Sequence, residues 1–67
     1  MSIRLIDFIR LMFNEYDTVK IFNEEDDLLF IGTREQAMKT LTKSQMFAVR
    51  KILYFYSVND ILTVTVK

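Results

Sequence analysis

The stretch Met46–Lys67 reads MFAVRKILYFYSVNDILTVTVK, and its assignment decides the fold. Two runs rich in β-branched and aromatic residues, Ala48–Ser57 and Ile61–Val66, flank Val58-Asn59-Asp60. Such side chains fit a pleated, half-buried surface, and Asn and Asp tolerate the positive φ that tight hairpin turns require. The reading is a terminal β-hairpin forming the floor of a small sheet. Met46, Val49, Leu53 and Tyr56 are also spaced as a helix face, so Thr42–Phe47 is an open join. The density of strand-forming residues after Ala48 favours strand there.

Working outward, Tyr16–Asn23 alternates as a strand, with Val19 and Ile21 on one side and Thr18, Lys20 and Phe22 on the other. Asn23-Glu24-Glu25-Asp26-Asp27 is a polar turn, Leu28–Ile31 returns as a strand, and Gly32 breaks the pattern. Thr33 with Gln36 three residues on matches a capping box, which starts a helix through about Leu41 with Ala37, Met38 and Leu41 inward. Ser2 caps an earlier helix from Ile3 to about Phe13. Its polar positions Arg4, Asp7, Arg10 and Asn14 form one narrow stripe, and Asp7 is placed to pair with Arg4 and Arg10. So wide an apolar arc suits a helix wedged deep in its own core, or one shared with a second subunit or a target. The order is α-β-β-α-β-β, an α+β fold. Its two hairpins make a mainly antiparallel four-stranded sheet with helices on one face.

At 67 residues the chain makes a single domain, and one this short buries only roughly 60% of its unfolded surface. With no Cys and no His, disulfides and the usual zinc ligands are excluded as supports, which leaves a rich core or oligomerisation. Hydrophobic residues make up 51% of the chain, which is compatible with either. The absence of Cys suits the cytoplasm. There is no apolar run of about 18 residues to span a membrane, and the amphipathic start is not a signal peptide.

Net charge is zero but unevenly placed: 1–33 holds seven acids and three bases, net −4, while 34–67 holds six bases and two acids, net +4. Such asymmetry steers partners without deciding the fold.

Strand alternation points to surplus apolar surface. Leu62, Val64 and Val66 make the core side of the last strand, opposite Ile61, Thr63 and Thr65. The preceding strand is apolar on both sides, with Val49, Leu53 and Phe55 against Ile52, Tyr54 and Tyr56. The expected patch on the outer sheet face is therefore Phe22, Leu28 or Phe30, Ile52, Tyr54 and Tyr56. Patches of this kind mark interaction sites, most simply a two-fold homodimer, unless another part of the monomer covers them.

Catalysis is not expected: no His is available as a base, no Ser sits in a nucleophile motif, and one Gly builds no phosphate loop. No cofactor or metal site is read. The acidic turn Glu24, Glu25, Asp26 and Asp27 lacks the spacing of a calcium loop. It is a solvated hairpin tip or a negative knob for a basic partner surface. Lys39, Lys43, Arg50 and Lys51 could meet phosphates, with Tyr54 and Tyr56 as stacking platforms. Zero net charge makes nucleic acid the lesser reading.

The sequence D-T-V-K-I-F-N-E, the segment L-L-F-I-G before a short capped helix, and the closing Y-S-V-N-D-I-L-T-V-T-V resemble small accessory proteins of phages and prophages of low-GC Gram-positive bacteria. Some comparable phage proteins, anti-CRISPR proteins among them, bind and block a host protein, often as dimers with acidic surfaces. The resemblance implies a non-catalytic binding protein directed at a host protein, such as a CRISPR or other defence nuclease effector.

Overall fold

The computed structural model describes residues 3–11 and 18–67. The elements are α1 (Leu5–Leu11), β1 (Thr18–Phe22), β2 (Leu28–Thr33), α2 (Arg34–Lys43), α3 (Gln45–Ala48), β3 (Ile52–Val58) and β4 (Ile61–Val66). The α+β class stands as read. The order does not, because α3 intervenes where strand was expected and α2 runs on to Lys43. Ala48 ends this helical turn with its side chain in the core, and β3 starts only at Ile52. The expected Ser2 cap, the tail of the first helix at Met12 and Phe13, and the strand start at Tyr16 and Asp17 lie outside the described residues.

The sheet order is β2-β1-β4-β3, with antiparallel hairpins at each side and a parallel β1–β4 pair in the centre. The parallel pair is a consequence of chain direction. α2 carries the chain back along the sheet, so β2 and β3 run the same way. Each hairpin then reverses once, which makes β1 and β4 run the same way too. These two strands take the centre because they have the most regular apolar alternation. Val19 lies beside Leu62 and Ile21 beside Val64, all essentially fully buried.

All three helices cover this one face. Leu5, Phe8 and Ile9 of α1, Ala37 and Leu41 of α2, and Ala48 of α3 pack with Val19, Ile21, Leu62, Val64 and Val66 into one core. Phe8 reaches Phe55 on β3, ring centroids 4.6 Å apart. Burying a side chain of Leu size contributes roughly 1.5–3 kcal/mol, so the central strands dominate stability. The wide apolar arc of α1 is not wholly buried, for Leu11 is exposed.

The capping box is formed: Thr33 Oγ1 accepts from Gln36 N–H at 3.2 Å, and Gln36 Oε1 accepts from Thr33 N–H at 2.9 Å. Gly32 does not break β2, which continues to Thr33. It is required for space instead, since a Cβ there would lie 2.5 Å from Gln36 Oε1 and 3.0 Å from the Phe30 ring. Among the described residues no helix is long and apolar enough to cross a membrane.

Candidate interaction surface

The strand registers arrange the sheet face opposite the helices into three rows. One row runs Leu28–Phe22–Thr65–Tyr54, the next Ile31–Lys20–Thr63–Tyr56, and the third Thr33–Thr18–Ile61–Val58. No described helix packs on these rows, because every buried helical side chain belongs to the core on the other side. Leu28, Ile31, Tyr54, Tyr56 and Val58 are each about half exposed. Thr63 and Thr65, by contrast, are only 8% and 3% exposed. The bulky neighbours along each row shield the central threonines and leave their own faces to solvent.

Of the expected patch, Phe22, Leu28, Tyr54 and Tyr56 share this face. Phe30 and Ile52 do not. Phe30 pairs with Ile21 and Ile52 with Val66, so both point to the helix side and are partly buried against the core. The cause is an irregularity in each edge strand, between Ile21 and Phe22 in the first pairing and between Ile52 and Tyr54 in the second. Each leaves one extra residue, Leu29 or Leu53, and shifts the parity of the side chains around it. Ile31 was missed for this reason, and Val58 because it was read as part of the turn Val58-Asn59-Asp60. Their signal was present in the alternation Tyr54, Tyr56, Val58 and in the pairing of Ile31 with Lys20.

The acidic turn borders the first row, immediately beyond the Phe22–Leu28 pair. Asn23 organises it. Its Oδ1 accepts from the backbone N–H of Glu25 at 2.9 Å and of Asp27 at 3.0 Å, and its backbone N–H donates to Asp27 O at 3.1 Å. Asp26 takes φ 64°, a conformation Asp tolerates. The four carboxylate residues are exposed. Among the described residues no group of three or more acidic, His or Cys side chains is placed to hold a metal. The turn is thus a rigid negative rim on an apolar platform.

The basic residues considered for phosphate contact are not gathered on that platform. Lys39 and Lys43 are exposed one turn apart on α2, in the helix layer. Arg50 lines an open groove of about 480 Å³ with Leu29, Thr40, Ser44, Met46 and Phe47. Only Lys51, at the start of β3, adjoins the edge near Tyr54. Cations and tyrosines therefore lie mainly on opposite sides of the sheet.

No family model matches the chain, and no curated protein or solved structure matches it.

Proposed function

We propose that the chain is a non-catalytic interaction protein that docks a second protein on the outer sheet face, with Glu24–Asp27 meeting basic side chains at the rim of that partner. The observation that carries this reading is the adjacency of the half-exposed rows Leu28–Phe22–Thr65–Tyr54 and Ile31–Lys20–Thr63–Tyr56 to four exposed acids on one preorganised turn. Aromatic side chains at the centre of a desolvated patch supply most binding energy, while charges at its rim set orientation and association rate. A turn already ordered by Asn23 loses little entropy on docking. The resemblance to phage accessory proteins makes a host protein the class of partner. Four adjacent carboxylates suit a basic, nucleic-acid-binding groove such as that of a defence nuclease.

The test is affinity capture from host lysate with four baits: wild type, the Tyr54→Glu/Tyr56→Glu variant, the charge reversal of all four acids to Lys, and Lys39→Glu/Lys43→Glu on the helix side. The captured protein should be lost with the face and tip variants and kept with the helix-layer variant. Retention by the folded face variant would overturn the assignment.

A further inference from the structure

We propose that a second copy of this chain pairs along the outer edge of β3, antiparallel and about a two-fold axis at Tyr56, joining two sheets into one of eight strands. β3 ends the sheet, so one side of its backbone faces away from β4. Among the described residues that side is paired only at its start. Ile52 N–H donates to Ile3 O at 3.1 Å and Leu5 N–H donates to Arg50 O at 2.8 Å, after which the chain leaves as α1. From Tyr54 to Val58 no partner strand adjoins this edge among the described residues.

The bare stretch Tyr54-Phe55-Tyr56-Ser57-Val58 has no charge and no Pro, and its irregularity lies before Tyr54 rather than within it. Natural edges are normally blunted by a charge, a proline, a bulge or a covering element. Among the described residues this segment has none of them, and its side chains are exposed on both faces of the sheet. The opposite edge strand, β2, carries its irregularity at the same place, its second residue Leu29, but its regular part is shorter and passes through Gly32 directly into α2.

The occupant is identified by charge and symmetry. Lys51 marks the start of the strand, with Arg4 across from it, and Asp60 marks the end. Antiparallel pairing centred on Tyr56 brings each Asp60 to the level of the partner's Ile52, one residue from Lys51; parallel pairing would set like charges side by side. Residues directly opposite in an antiparallel pair point to the same face. Centring the axis on Tyr56 uses the whole bare stretch and satisfies that rule. Tyr54 then lies opposite the partner's Val58, and Phe55 opposite the partner's Ser57. The strips Tyr54, Tyr56 and Val58 of the two copies meet, so the two outer faces become one platform. This contact is made through the backbone edge of β3, whose Tyr54 and Tyr56 side chains also belong to the docking face; sedimentation and thiol oxidation read the first and capture of a partner reads the second.

The test is sedimentation of the full chain over a concentration series, together with a single introduced thiol. The chain has no cysteine of its own, so Tyr56→Cys reports one contact. Paired Cα atoms about 4.5–5.5 Å apart fall within disulfide reach, whereas stacked sheets lie about 10 Å apart, beyond it. Tyr56→Cys should oxidise to a linked dimer roughly a hundredfold faster than Lys39→Cys on α2, given an effective concentration on the order of mM across a formed interface. In a chain that keeps Tyr56, Lys51→Glu should weaken the dimer and adding Asp60→Asn should partly restore it. A monomer at every concentration, an open-ended polymer, or a dimer whose position-56 thiol reacts no faster than the α2 control would each overturn the proposal.

Discussion

The two hairpins share a plan and differ in finish. In each, one strand lies in the middle of the sheet and the other forms an edge. The first hairpin turns through five polar residues tied to Asn23, and its edge strand β2 carries an irregularity at Leu29 before passing through Gly32 into a capped helix. The second turns through Asn59 and Asp60 alone, with φ 51° and 63°, as in the two-residue hairpin turns that match strand twist. Its edge strand is irregular at the same position, the second residue Leu53, and among the described residues then runs bare through Tyr54–Val58. The first edge closes after four regular residues, Phe30–Thr33, at a capped helix, and the second keeps five, Tyr54–Val58, before its turn. Composition alone does not separate them, because β2 and β3 are both apolar and uncharged. The difference lies in how much regular strand follows the irregularity and in the element that comes next.

The largest expected effect separates the inner strands from the outer ones. Leu62, essentially fully buried on β4, should cost about 3 kcal/mol when cut to Ala, within the usual range for buried leucines. Ile31, half exposed on β2, should cost below about 1 kcal/mol in the same change, since little of its surface leaves water on folding. Urea unfolding of both variants checks this. Equal losses would mean that the outer face is covered in the folded chain.

A smaller effect should make the closed hairpin resemble the open one. Gly32→Ala sets a methyl against Gln36 Oε1 and the Phe30 ring, so the capping glutamine must leave Thr33. Loss of the cap with local crowding should lower stability by about 1–2 kcal/mol. Amide exchange should rise at Thr33 and Gln36 and stay unchanged at Asn59–Ile61. Unchanged exchange at Thr33 would show that the cap adapts without the glycine.

These contrasts also mark how far the sequence could be read. The terminal hairpin, the capping box and the inward set Leu62, Val64 and Val66 were all legible, because each depends on neighbours in the chain, and the turn was placed one residue too wide, at Val58-Asn59-Asp60. The parallel β1–β4 pair was not read, because the return through α2 and α3 sets the direction of β3 and β4 but not which strands become neighbours. The irregularities at Leu29 and Leu53 have no local signature, since both segments are continuously apolar and either parity looks equally good. That ambiguity misplaced Phe30 and Ile52 on the outer face. Helix α3 was hidden for a related reason. Met46, Phe47 and Ala48 suit a helix or a strand, and the choice is made when Phe47 and Ala48 pack against the core.

The smallest effect concerns the point where α1 covers the start of β3. Arg4, opposite Lys51, donates from Nε to Asp7 Oδ2 at 2.9 Å and from Nη2 to Oδ1 at 3.3 Å. These bonds, with the charges of Arg4 and Arg10, hold the Asp7 carboxyl below its usual value, against a partial loss of solvation. A carboxyl whose pKa is lowered by folding stabilises the fold above the ordinary carboxylate range, and that contribution is lost as pH falls through its folded value. The pair is exposed, so the contribution is small. Asp7→Asn should lower the unfolding midpoint slightly at pH 7, with the gap to wild type closing in acid. Exchange at Ile52, whose N–H is held by Ile3, should rise in the variant at pH 7, lengthening the bare edge from its closed end. A gap that persists below the folded Asp7 pKa would show that the residue acts through packing and not through its charge.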